Sequence, residues 1–453
     1  MPQDAHWVSE RNLALLTDQY ELTMAQAYWR EGMHDDAVFT LYYRTLPEGR
    51  NMLLAAGLDD ALHFLETLSF DDEHLEYLAG RDEFGQDFLD WLADLEFTGS
   101  VRAMPEGTPV FPDEPLLEVR GSLPAAQLAE TAIMNQVHMQ TVLASKGARV
   151  KHAAGGRAVV DFGLRRMHGA DAGIKAARAF HIAGVDATSN VLAGRLYGVP
   201  VTGTMAHSYI QAHDGEMAAF RAFTDAYPET VLLVDTYDTL EGVRKVVRLA
   251  EELGDDFAVR AVRLDSGDLA ALAVDSREIL DEAGLEDVRI FASGGLDEYE
   301  IARMLDDGAP IDGFGVGTHM GVARDAPALD MAYKLSEYAG AGRLKLSSGK
   351  KILPGPKQVW RREDGAGTAT GDRIGTADED GPGRPLLEPV MRNGRRLGAG
   401  ERTLDEAREH AARAVAGMPA RIRAIEPADP PYPVEVTDTL KRRQREVIEA
   451  LRD

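Results

Sequence analysis

The sequence predicts an α/β fold built around a parallel (β/α) barrel, and three observations carry that expectation. Seven short apolar runs fall at 157–163, 183–189, 199–204, 230–236, 259–268, 288–295 and 311–318, with helical stretches between them. Strands alternating with helices imply parallel βα units, and seven of them in about 160 residues suggest a barrel, an irregular one. Almost every run ends in a polar residue or glycine: Asp161, Asp186, Thr204, Asp235, Arg263 with Asp265, Ser293 with Gly294, Gly315 with Gly317. In a βα barrel those ends meet on the face that carries the active site.

The flanking segments read differently. Residues 11–30 open with an irregular stretch and continue as a helix, with Asp18 as cap and Glu21 as its capping-box partner. "AVFTLYYR" (37–44) is β-branched and aromatic, hence a strand, and 51–66 and 73–95 read as helices. Gly/Pro punctuation across 99–121 suits a small antiparallel sheet, and a long helix follows from about 125 to 147. Beyond 340 the chain turns basic and glycine-rich. The stretch "EDGAGTATGDRIGTADEDGPG" (363–383), low in apolar residues, reads as a mobile or edge segment. "LLEPVMRNGRR" reads as a hairpin with an Asn-Gly turn, and "TLDEAREHAARAVAGM" as a capped amphipathic helix.

Composition narrows the chemistry. With 49 Lys+Arg against 75 Asp+Glu the net charge is −26, so the surface repels nucleic acid and anionic membrane. An anionic substrate must then be met by local positive charge. The absence of cysteine excludes disulfides, thiolate zinc sites and cysteine nucleophiles, and fits a cytoplasmic enzyme. The apolar stretches are too short to span a bilayer, and the polar N-terminus is unlike a secretory signal.

The strand ends supply the candidate chemistry. "GFGVGTHMG" (313–321) follows an apolar run, and its glycines would let backbone N–H groups approach phosphate; a tight barrel turn is the plain alternative. "FASGG" in the preceding strand strengthens the phosphate reading. "VRLDSGD" (262–268) sets Arg263, Asp265 and Asp268 together, with Arg263 a candidate fork for a carboxylate. "DFGLRRMHG" (161–169) adds Phe162, Arg165, Arg166 and His168. "GTMAHS" (203–208) leaves His207 among small residues, with only His213 nearby as a second histidine. Phosphate loops, arginines and carboxylates on one face suit a phosphorylated sugar and a small acid. No lysine suited to a Schiff base ends any of these strands.

These motifs, with "LLTDQYELTMAQAYW", "TLPEGRNMLLAAGL", "VLLVDTYDTLEGV" and "KLSSGKKILPGPKQVWR", closely resemble nicotinate phosphoribosyltransferase, in order from about residue 11 to about 420. The resemblance implies an irregular (β/α) barrel of the type II phosphoribosyltransferase kind, with a smaller α+β domain built from N-terminal and C-terminal segments. The boundaries so expected are 1–124, 125–340 and 341–453. It implies that nicotinate and phosphoribosyl pyrophosphate give nicotinate mononucleotide and pyrophosphate, coupled to ATP hydrolysis, as the first step of NAD salvage from nicotinate. His207 would be the residue transiently phosphorylated by ATP. Tyr20, from the partner subunit of a homodimer, and Phe162 would sandwich the pyridine ring, and Thr204 and Arg263 would contact nicotinate. Arg165, Thr318 and the glycines Gly294, Gly295, Gly315 and Gly317 would hold the phosphoribosyl group. Asp235 and Asp265 would be the carboxylates near His207 and the ribose, with Mg2+ accompanying ATP and phosphoribosyl pyrophosphate. The alternatives are a nicotinamide phosphoribosyltransferase, a quinolinate phosphoribosyltransferase without ATP or phosphohistidine, and a non-catalytic ligand-binding scaffold.

Overall fold

A computed structural model describes residues 8–346 and 353–452. The chain divides into two compact units, Met1–Val142 with Ala328–Asp453, and Leu143–Pro327. The division falls inside the helix Glu130–Ala153 rather than ahead of it. The second stretch of the first unit starts before 341 because strand Met331–Tyr338 pairs along its length with Asp36–Tyr43.

The first unit is α+β. Its antiparallel sheet runs in the order Ala341–Gly342, Met331–Tyr338, Asp36–Tyr43, Leu117–Ser122, Ser100–Ala103, Glu388–Arg392, Arg395–Arg396. Residues from both ends of the chain thus share one sheet, and Phe39 stacks on Tyr333 with centroids 4.9 Å apart. The region 73–95 breaks into helices Asp72–Ala79 and Gln86–Ala93. Asp18 precedes helix Gln19–Arg30, but neither it nor Glu21 forms the expected capping box. Both carboxylates instead accept from the Thr131 hydroxyl, at 3.0 and 2.9 Å. The segment read as mobile or edge holds strand Ala369–Thr376, which lies between Lys357–Glu363 and Val434–Val436 inside a second sheet. Beside its backbone ladder and the buried Ala369 and Ile374, it carries a polar tie: Asp372, fully buried, pairs with buried Arg361 at 2.6 Å, a pattern invisible to a count of apolar residues.

The second unit is the irregular barrel. Its strands are all parallel, in the order Ala187–Thr188, Ala158–Asp161, Gly313–Val316, Arg289–Ser293, Ala261–Leu264, Val231–Leu233. The 199–204 run contributes only a parallel bridge from Val201 to Thr188. Among the described residues nothing pairs that edge with Val231–Leu233, so the barrel stays open there. Val159, Leu232, Val262, Ile290 and Phe314 are each fully buried, and behind them Val243, Val246 and Leu249 repeat at helical spacing along Thr239–Leu253. Each such side chain contributes roughly 1.5–3 kcal/mol by burial, which holds the strands in register. No helix among the described residues is long and apolar enough to cross a membrane.

Candidate active site

Register brings the strand ends together. Leu233 pairs with Arg263, Leu264 with Ala292, Ser293 with Gly315, and Val316 with Asp161. The residues just beyond each strand therefore emerge along one rim, where a cleft of about 420 Å³ opens.

On one side of the cleft the polar groups form a chain. Asp235 Oδ2 accepts from the Asp265 N–H at 3.0 Å and from the Ser266 hydroxyl at 2.6 Å. Asp265 Oδ1 accepts from the Ser293 hydroxyl at 2.5 Å, and its Oδ2 lies 3.8 Å from His207 Nε2. His207 opens the short helix His207–Gln211, and its Nδ1 is 3.1 Å from the Thr236 hydroxyl. The imidazole is thus held at Nδ1, with Nε2 near the Asp265 carboxylate, while its side chain remains 40% exposed, open to a reagent from the cleft. Asp235 Oδ1 is buried with no partner among the described residues.

The opposite side is cationic. Arg263 donates from Nη2 to the Met205 carbonyl at 3.0 Å, while its Nε is buried without a partner. Burial lowers its pKa below the usual guanidinium value; the nearby Asp265 and Asp235 oppose this, and Arg165 adds to it. A guanidinium with spare donors in a low-dielectric pocket favours an anion. Its Cζ sits 5.9 Å from the centre of the Phe162 ring. Arg165 lines the cleft from the turn Leu164–Arg166, and so does Arg166. Thr204 lines it too, its hydroxyl turned to the Met205 carbonyl at 3.2 Å.

The glycines make room. A Cβ on Gly315 would come within 2.5 Å of the Phe162 ring, so the ring lies flush against that strand. Gly294 takes φ +93°, and a Cβ there would meet the Asp265 carbonyl oxygen at 1.8 Å. Gly295, Gly317 and Thr318 complete the lining.

Some expected residues lie elsewhere. Tyr20 belongs to the first unit, where its side chain is 48% exposed. Asp161 is fully buried and accepts from the Gly163 N–H and the Thr188 hydroxyl, shaping the turn that carries Arg165. Asp186 precedes its strand and binds Lys151 Nζ at 2.6 Å, a structural tie. Asp268 caps helix Leu269–Glu282 through the Ala271 N–H. Conversely, Thr236, Ser266 and the Met205 carbonyl were not anticipated. Thr236 stood next to Asp235 in "VDTYD", but a hydroxyl beside a strand-end aspartate carries no signal until the fold brings a histidine to it.

Comparison with known proteins gives this arrangement its family. A model of the nicotinate phosphoribosyltransferase (NAPRTase) N-terminal domain matches residues 15–138, and one of the nicotinate phosphoribosyltransferase (NAPRTase) family matches 158–359. The chain belongs to the nicotinate phosphoribosyltransferase family. Among relatives, the chain is 55% identical to nicotinate phosphoribosyltransferase pncB2 of Mycobacterium tuberculosis, over 94% of this chain and 92% of that one. It is 42% identical to the nicotinate phosphoribosyltransferase of Bacillus subtilis, over 77% and 73%. The crystal structure of human nicotinic acid phosphoribosyltransferase superposes with a TM-score of 0.84 at 30% identity, over 95% of this chain and 99% of that one. As a nicotinate phosphoribosyltransferase family member the chain is an enzyme of the phosphoribosyl-transfer class.

Proposed function

We propose that this enzyme joins nicotinate to the phosphoribosyl group of phosphoribosyl pyrophosphate, releasing pyrophosphate, and that ATP hydrolysis is coupled to the transfer through phosphorylation of His207. The observation that carries this reading is the convergence of His207, Asp265 and Arg263 on one cleft that also holds both glycine loops. A guanidinium with a spare donor beside an aromatic ring favours the carboxylate of nicotinate over the neutral amide of nicotinamide by the charge-assisted part of the bond.

The chemistry follows from the residues. The pyridine nitrogen attacks the anomeric carbon as pyrophosphate leaves, through an oxocarbenium-like state. Phe162 and Arg263 orient the ring and its carboxylate. Asp265, held by Ser293 and by its own N–H on Asp235, presents negative charge to the developing cation. Arg165 and the loops at Gly294, Gly295, Gly317 and Thr318 hold the phosphates. A neutral imidazole is a competent phosphoryl acceptor near pH 7, and Thr236 and Asp265 fix its orientation. Among the described residues no group of three or more His, Asp or Glu could hold a metal by itself. Magnesium would therefore arrive with the phosphates, with the unpartnered Oδ1 of Asp235 as the protein's contribution, and would neutralise the leaving diphosphate.

The assembly proposed is a homodimer with Tyr20 reaching the partner's site. It is supported by the exposure of Tyr20 and by an apolar face on helix Val191–Tyr197, where Val191, Leu192 and Leu196 are 73%, 49% and 57% exposed. We place the enzyme in the cytoplasm, on the cysteine-free composition. The deciding experiment is a mass-spectrometric product assay with nicotinate, nicotinamide and quinolinate, each with and without ATP. Nicotinate mononucleotide formed fastest, and stimulated by ATP, is the expected result. Preference for either other base overturns the proposal.

A further inference from the structure

Behind the two glycine loops lies a buried group of charges to which the proposed reaction gives no part. Lys146, in helix Glu130–Ala153, is 2% exposed, and its Nζ donates to Glu298 Oε2 at 2.5 Å and to Asp325 Oδ1 at 2.7 Å. Glu298 is fully buried and opens helix Glu298–Asp306, just past Gly294 and Gly295. Asp325 follows helix Thr318–Gly321, which begins at the second loop. Arg149, on the same face of the long helix as Lys146, donates to Glu298 Oε1 at 2.9 Å and to the Tyr299 hydroxyl at 2.8 Å. Nearer the surface a second fastener joins the same two segments. His319 Nδ1 approaches Asp297 Oδ2 to 3.7 Å without a hydrogen bond, and Arg324 Nη1 donates to His319 Nε2 at 2.8 Å within the second segment, so this contact is looser than the one Lys146 makes.

The strand register fixes only the bases of these loops, through Ser293 and Gly315. Beyond the strands, Gly294 packs on the Asp265 carbonyl, but neither that contact nor the register sets the separation between the two loops; a buried ion pair is also a poor way to gain stability, since well-packed apolar residues do as well or better. What a lysine with two carboxylates does supply is a fixed separation between the segments that carry them.

We propose that Lys146 is a positioning residue. It holds the loop at Gly294–Asp297 and the loop at Gly317–Asp325 at the spacing that a diphosphate-bearing ligand requires. The inference rests on the reading of this cleft as the phosphoribosyl pyrophosphate site.

The test uses the full chain with Lys146→Met, which keeps length without charge, and Lys146→Arg. Binding of inorganic pyrophosphate with magnesium is measured by calorimetry, and KM is measured for both substrates. Misplaced loops should weaken pyrophosphate binding, and raise KM for phosphoribosyl pyrophosphate, by about tenfold to a hundredfold in Lys146→Met. The nicotinate KM should stay within about twofold, since uniform binding of the base is untouched. Lys146→Arg should recover part of the loss. A merely structural lysine would lower the melting temperature and move both KM values together, and that result overturns the proposal. If Lys146→Met fails to fold, Asp325→Asn, which removes the charge Lys146 holds on the second segment, decides: a selective loss of pyrophosphate affinity supports the clamp, and an unchanged affinity overturns it. A parent enzyme that binds no pyrophosphate overturns the reading of the cleft and the clamp with it. A parent that binds it, beside a folded Lys146→Met protein that binds equally, overturns the clamp alone.

Discussion

Arg263 and Phe162 meet at the mouth of the parallel sheet, the guanidinium carbon 5.9 Å from the ring centre. One offers a charged fork and the other an aromatic face, which together match a planar ring bearing a carboxylate. Charge-assisted hydrogen bonds contribute roughly 1.5–3 kcal/mol net, or about one to two orders of magnitude in rate. Arg263→Gln should lower kcat/KM for nicotinate by about that factor and for nicotinamide far less. Equal losses on both substrates would mean that Arg263 holds phosphate or structure instead.

Gly315 sets the position of that ring. Adding one methyl by Gly315→Ala puts a carbon 2.5 Å from Phe162, and the ring must lift away. Overpacking of this kind costs about 1–3 kcal/mol. The nicotinate KM should rise while the KM for phosphoribosyl pyrophosphate changes little. A wild-type nicotinate KM in the folded variant would show that ring position is unimportant.

His207 should take label from γ-labelled ATP as an acid-labile, base-stable phosphate. His207→Ala should lose both label and ATPase and keep slow phosphoribosyl transfer, because Arg263, Phe162 and the loops still position the substrates. Label that persists in His207→Ala places the phosphate elsewhere.

If Tyr20 serves the partner's site, Tyr20→Ala and Arg263→Ala enzymes are each crippled alone. Mixed and allowed to exchange subunits, they should regain activity, since one site in each hybrid dimer carries neither lesion. Proven heterodimers without recovery would put Tyr20 to work within its own chain.

Glu21 gives a pH signature. It is fully buried beside Tyr20, and burial raises its pKa from 4.5 to about 7, with Glu130 and Asp18 adding to the rise and the Thr131 and Tyr20 hydroxyls opposing it. Between those values the folded protein holds a proton that the unfolded chain has released, so stability falls as pH rises from about 4.5 to 7. Glu21→Gln keeps an acceptor for Thr131 and removes the charge. It should raise the melting temperature at pH 8, by on the order of 1–3 kcal/mol of stability, and by much less at pH 5. An equal effect at both pH values would refute the assignment.

Much of this was legible in the sequence because strand ends announce themselves. A buried parallel strand is a short apolar run, and a polar residue at its end often faces a cleft. Arg263, Asp265 and the glycines of "GFGVG" were found that way. The same rule also took in Asp186, which the structure turns to Lys151, because a strand-start tie likewise puts an aspartate next to an apolar run. It missed Thr236, whose meaning comes only from His207, 29 positions away. It also missed the strand Ala369–Thr376, held by its backbone ladder with the Arg361–Asp372 pair as a buried polar tie.

Gly294 leaves this protein little freedom to drift. Its missing side chain lets the glycine loop rest on the Asp265 carbonyl, with no space for even one carbon. Any other residue there must push back the strand end whose carboxylate faces His207, so on the proposed reading one substitution would disturb both sugar binding and phosphorylation. A lineage adapting this scaffold to a new base can vary Thr204 in the cleft lining, yet it finds position 294 closed to side chains. Directed evolution of base specificity should therefore recover changes around the pyridine pocket and none at Gly294.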